Sequence, residues 1–135
     1  MHIFKFCAVC DEVRVELGTN KSFIIGFFGM LPYVDIAVPF PSQPTSRLTF
    51  LFMSGASVAA GKYRISMKIK NPTGQELPLH FLPIEMNAFA GPLNAMLMCQ
   101  PMPLNGVGRY DVTAVVNDQE DFSSYFFVSQ APESN

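Results

Sequence analysis

The chain has 135 residues, of which 49% are hydrophobic and 15% charged, with nine basic side chains against eleven acidic ones and a net charge of −2. This length suits one domain, residues 1–135, with a core that needs neither disulfide nor metal, and the composition excludes a disordered chain. The one basic cluster, Lys62, Arg64, Lys68 and Lys70, alternates with apolar residues, which is the wet face of a strand and not the phosphate-neutralising surface that nucleic acid requires.

In chain order, the first expected strands are Ile3–Cys10 and Val13–Leu17, then Ser22–Phe28 and Val34–Val38. The turn clusters "LGTNKS" and "MLPY" separate them. The window "FIIGFFGMLPYVDIAVPF" is long enough to cross a bilayer, but Asp35 lies near its middle, and Pro32, Pro39 and two glycines interrupt it. A charge at bilayer depth is expensive, so two strands and a turn are expected there, and no membrane. "PFPSQPT" is an extended crossing between layers.

Arg47–Met53 follows as a strand, then "SGASVAAG" as a turn. "YRISMKIK" has a period of two: Tyr63, Ile65, Met67 and Ile69 face one way, Arg64, Ser66, Lys68 and Lys70 the other. That is a half-buried antiparallel strand, and "NPTG" ends it with a tight turn. Leu79–Leu82 and Leu93–Gln100 are further strands. "GRYDVTAVV" and "FSSYFFVSQ" form a closing hairpin, with "NDQED" as its solvated end. No helix longer than a turn is expected, and eleven prolines weigh against one. Short strands with this punctuation predict an all-β fold, a single-domain sandwich of two mostly antiparallel sheets.

Chemistry is sparse. In Cys7-Ala-Val-Cys10 the flanking "HIFKF" reads as extended, and residues three apart on a strand point to opposite faces. A zinc pair needs a tight turn and two more ligands, yet His2, His80 and Cys99 stand singly. Three cysteines cannot all pair, which suits a reducing cytoplasm, and no signal peptide or lipid-modified cysteine is expected. Ser54 lacks the leading glycine of a nucleophile elbow. "NDQED" has no glycine for a calcium loop. No catalytic set, metal or cofactor is expected.

The informative signal is excess apolar surface. "FIIGFF", "LTFLFM", "NAMLMCQPM" and "YFFV" are apolar on both faces, whereas a two-layer sandwich buries only one face of each strand. The surplus residues Phe23, Ile25, Phe27, Leu51, Met53, Met96, Met98, Met102 and Phe127 are the candidate interface, for a protein partner or a second copy. The alternative is a ligand-binding sandwich for a sugar or small apolar molecule, with Tyr33, Tyr63, Tyr110 and Tyr125 as platforms in a chain without tryptophan.

The order "FCAVCDEVRVE", "SFIIGFFG", "RLTFLF", "GKYRISMKIKNPTGQEL" and "GRYDVTAVVND" resembles an uncharacterised bacterial domain-of-unknown-function family of small β-sandwich proteins. The last two blocks are also similar to immunoglobulin-like modules. The resemblance implies a sandwich and a bacterial source, and no activity or catalytic residues. The core tryptophan and disulfide of antibody domains are absent as a pair, since the chain has no tryptophan.

The parity of "YRISMKIK" carries a direct test. Met67→Asp is expected to unfold the domain and Lys68→Asp to leave it folded, read by circular dichroism and urea titration. Equal tolerance of the two would mean a misread register.

Overall fold

A computed structural model describes residues 2–19, 21–40, 47–78 and 83–132. These form nine strands and no helix: β1 (Phe6–Val15), β2 (Ser22–Met30), β3 (Asp35–Val38), β4 (Leu48–Ser57), β5 (Gly61–Lys70), β6 (Ile84–Ala88), β7 (Pro92–Cys99), β8 (Gly108–Val116) and β9 (Gln119–Gln130). They make a four-stranded sheet, β2-β1-β4-β7, and a five-stranded sheet, β3-β9-β8-β5-β6. All pairings are antiparallel except β3 with β9, which is parallel. The fold is all-β with two sheets, consistent with a sandwich.

Alternation decides which side chains go inside. On β5, Tyr63, Ile65, Met67 and Ile69 are buried, while Lys62, Arg64, Lys68 and Lys70 are exposed. On β7, Leu93, Ala95, Leu97 and Cys99 are buried between Asn94, Met96 and Met98. The two inner faces meet through aromatic rings. Phe50 of β4 lies 6.1 Å from Phe126 of β9, and Phe52 lies 5.9 Å from Phe122 and 5.6 Å from Phe4, centroid to centroid. Phe126 stacks on its cross-strand partner Tyr110 at 5.1 Å. The Tyr110 hydroxyl donates to the Gly106 carbonyl at 2.7 Å, so its polar end is satisfied four residues back along the chain.

Turn chemistry matches the sequence at two places. The Asn71 carboxamide oxygen accepts from the Thr73 and Gln75 amides and the Thr73 hydroxyl, closing the turn after β5. Between β8 and β9, Asn117 and Asp118 have φ of 50° and 64°, the left-handed pair that a two-residue hairpin with right-handed strand twist requires.

The structure corrects several expectations. The predicted strands Ile3–Cys10 and Val13–Leu17 are one, because β1 runs from Phe6 to Val15 and its pairing with β2 resumes at Glu12 after the lapse at Asp11. β4 continues to Ser57, where a turn was expected. β6 was not anticipated; it lies beside β5, and its faces mix partly buried Ile84 and Met86 with exposed Glu85 and Asn87. Leu79–Leu82 and most of "PFPSQPT" lie outside the described residues. "NDQED" is not wholly a solvated loop. Its last residue, Asp121, is buried in β9, and its carboxylate accepts from the Ile3 amide at 2.6 Å and the Phe4 amide at 2.8 Å. His2 Nδ1 contacts the Asp121 carbonyl.

Asp121 therefore fastens the segment before β1 to the opposite sheet. Asp121→Ala strands two buried amides and is expected to cost about 2–4 kcal/mol in urea unfolding. Glu120→Ala, on an exposed neighbour, is expected to change stability by less than about 0.5 kcal/mol.

Candidate functional site

The strand ladders place the outward side chains of the four-stranded sheet in rows. One row runs Met30, Ala8, Leu51, Met96; the next runs Phe27, Cys10, Thr49, Met98; a third runs Phe6, Met53, Asn94. These rows make a contiguous face, largely apolar, carried by all four strands. Beyond them the ladder lapses at Asp11 and Gly26, whose φ is 66°, and resumes with Ile25 opposite Glu12 and Phe23 opposite Arg14. Phe27 is 56% exposed, Phe6 52%, Phe23 51% and Met98 50%, and Ile25 and Met96 are exposed as well.

Two local features shape it. Gly55 on β4 has φ of 70°, and a Cβ there would stand 2.7 Å from the Phe6 ring. The missing side chain is what lets Phe6 lie across β4. On β2 the register shifts opposite Val9 and Cys10, which pair with Gly29 and Phe27, so that Phe28 is the extra residue. Such a bulge adds one residue to one strand and changes its facing pattern. One end of the face carries charge: Glu12 bridges Arg14 at 2.8 Å and Arg47 at 3.6 Å.

The nine candidate residues divide three ways. Phe23, Ile25, Phe27, Met96 and Met98 stand exposed, the first two beyond the lapse at Asp11 and Gly26. Leu51, 8% exposed, and the half-buried Met53 are its floor, because β4 is a central strand flanked on both sides. Two residues do not belong. Met102 is only 3% exposed and packs in the core, because β7 ends at Cys99 and the chain turns inward beyond it. Phe127 is exposed, but on the outer side of β9 in the other sheet. Phe6 was missed by sequence reasoning. Its signal was its place in the alternating "FKFCAVC", which puts Phe4 and Phe6 at the same parity, whereas the structure buries Phe4 and exposes Phe6. Phe4 precedes β1 and escapes the strand's alternation.

The outer face of the five-stranded sheet is different in kind. Its rows are Lys70, Asp111, Tyr125 and Lys68, Thr113, Ser123. They line a polar groove of about 800 Å³. Arg109 lies 4.2 Å above the Tyr125 ring and donates to Asp111 at 2.8 Å, so one aromatic face of the groove is already covered. Of the other tyrosines, Tyr110 and Tyr63 are buried, which removes them as platforms, and Tyr33 is exposed at the turn after β2.

The reactive groups are engaged in structure. The Ser54 hydroxyl donates to the Ala56 carbonyl and accepts from the Leu93 amide, tying β4 to β7. Cys7 and Cys10 occupy opposite faces of β1, and with Cys99 they are free and buried. Burial pushes the Cys7 thiol up, with Cys10 adding to it. Burial and then Asp11 raise Cys10, and burial raises Cys99 to about 11. Among the described residues no three His, Cys, Asp or Glu side chains are grouped to hold a metal ion, and His80 lies outside them. No described helix is long and apolar enough to cross a membrane.

No family model matches the chain, and no curated protein matches it.

The thiols supply a test. Raised values keep them protonated at neutral pH, and only thiolates react quickly. Iodoacetamide at about pH 8 is expected to leave all three unlabelled in the native chain and to label all three in guanidinium. Rapid native labelling of any one would contradict its burial.

Proposed function

We propose that this chain is a non-enzymatic assembly module. It works by burying the outer face of its four-stranded sheet against a protein partner or a second copy. One observation carries the reading: Phe6, Phe27, Met96 and Met98 are exposed together on one sheet face. Exposed apolar patches on a typical monomer reach roughly 300–600 Å², and larger ones mark contact surfaces. Methionine suits such a surface because its flexible thioether adapts to the partner.

The occupied Ser54 hydroxyl and the buried thiols support a role without covalent chemistry. The proposal carries with it an immunoglobulin-like arrangement, a bacterial source and a cytoplasmic setting. The first two rest on the order of turn and strand signals, and the last on free buried thiols.

A second reading is favoured by the polar groove of the other sheet, which would take a sugar or small polar molecule beside Tyr125. The stacking of Arg109 on that ring weighs against it, since a sugar needs an open aromatic face.

Methionine oxidation separates the readings. In the isolated chain at high dilution, Met98 and Met96 should oxidise with peroxide at least about tenfold faster than buried Met67 and Met102. At high concentration, or in extract of the native host, Met96 and Met98 should be protected several-fold. Unchanged reactivity of Met98 under all three conditions would sink the interface.

A further inference from the structure

We infer that the occupant nearest β2 is a second copy of this chain, joined through the free edges of two β2 strands in an antiparallel, two-fold pairing. The inference deepens the interface reading and rests on it in part, because Phe27 belongs to both surfaces. Met98 lies on β7, at the opposite side of the sheet, so the two can be tested apart.

β2 is an edge strand, and β1 is its one extensive neighbour among the described strands. Its apolar side chains Phe23, Ile24, Ile25, Phe27 and Phe28 are all exposed, by 38% to 56%. The strand is therefore open at its edge and along both faces. Gly26, with φ of 66°, sits against the Asp11 carboxylate, where a Cβ would collide, so no side chain of its own covers that stretch.

The backbone points the same way. The Glu16 amide donates to the Lys21 carbonyl at 2.8 Å, so the pair that closes this hairpin is hydrogen-bonded. Antiparallel ladders alternate bonded and non-bonded pairs. In the register Arg14 with Phe23 and Glu12 with Ile25, those two pairs are then the bonded ones. The amide and carbonyl of Ser22 and of Ile24 consequently point away from β1, at the free edge. They are donors and acceptors without a strand partner among the described residues.

Natural sheets guard such edges with charge, proline or strong twist. The other three edge strands each carry a guard: Asp35 on β3, Glu85 on β6 and Pro92 at the start of β7. "SFIIGFFGM" has no charge and no proline. Its irregularities, the left-handed Gly26 and the register shift beyond Phe27, lie past Ile25 and leave the Ser22–Ile25 stretch regular.

A second copy fits this edge better than another chain does. A two-fold axis through Ile24 sets Ile24 against its own equivalent, Phe23 against Ile25 and Ser22 against Gly26. An antiparallel strand is its own complement under that operation, and an uncharged one meets no like charge. At about 200 Å² for a full aromatic side chain, Phe23, Phe27 and Phe28 alone offer about 300 Å². That is over a third of the roughly 800 Å² per partner that a stable dimer covers, before Ile24, Ile25 and the backbone edge are included.

The experiment follows mass and backbone protection in the full chain. Sedimentation and light scattering from about 1 to 100 µM should show a dimer. Hydrogen exchange should show the Ile24 amide protected at the high end and at least about tenfold faster on dilution. Ile24→Pro removes an amide that β1 does not use, so it should weaken dimerisation at least tenfold while the far-ultraviolet spectrum is kept. Ile24→Ala retains the amide and should weaken it less. A monomer across the whole range, or an Ile24 amide whose exchange is the same at all concentrations, overturns the inference even if Ile24→Pro fails to fold. So does a dimer that a folded Ile24→Pro leaves intact. Protection of Met98 without protection of Ile24 would keep the interface reading and reject the β2 pairing. Protection of Ile24 with Met98 still reactive would keep the β2 pairing and reject coverage of the wider face.

Discussion

The interleaving of Phe50 and Phe52 with Phe126 and Phe122 is the contact on which the rest depends. It is where the two sheets meet, and it fixes which parity of every strand faces inward. Each aromatic ring removes a large apolar area from water, and tilted or edge-on ring pairs add a further, smaller gain. Once Phe50 and Phe52 are inside, Leu51 and Met53 must face out. Through the ladders of β4 the same choice turns Ala8, Met96 and Met98 outward too. The apolar outer face is thus a geometric consequence of the core, combined with a sequence that did not place polar residues at the alternate positions.

The two sheets resolve that alternation differently. On the five-stranded sheet the alternate positions of β5, β8 and β9 carry Lys68, Lys70, Asp111, Thr113 and Ser123, and the surface can stay hydrated. On the four-stranded sheet the same positions carry aromatic and thioether side chains, and Asp11, Glu12, Arg14 and Arg47 gather charge toward one end. One domain therefore presents a wet side and a dry side. Surface salt bridges of this kind contribute little to stability, so the charged end is better understood as a boundary that marks where the dry surface stops.

Much of this was legible in the residues. The period of two in Tyr63–Lys70, the Asn71 turn and the β8–β9 hairpin all follow from local chemistry, and they appear as expected. The outward positions of Met96 and Met98 follow from the same counting, whereas on β2 the lapse at Gly26 interrupts it between Phe27 and Ile25. What counting could not supply was context. Parity does not say whether an outward residue has neighbours on both sides, and so Leu51 is shielded while Met98 is not. It does not survive the end of a strand, and so Met102 turns into the core. Asp11 and Glu12 read as a break, yet the strand continues past them: only Asp11 loses its partner on β2, and Glu12 pairs with Ile25. Asp121 looked like one acid among several in a loop. Only the approach of residues 118 and 117 positions away, Ile3 and Phe4, shows why it is buried.

That carboxylate has a consequence for the order in which the molecule is made. Its partners lie at the start of the chain, and it lies in the last strand. On a ribosome the early segment emerges long before the group that will hold it. Until β9 has been synthesised, the aromatic layer lacks Phe122 and Phe126, and β3 has no neighbour to pair with. Long-range closure of this kind is slow to form, so the anchor of Ile3 and Phe4, the pairing of β3 and the aromatic layer all wait on β9.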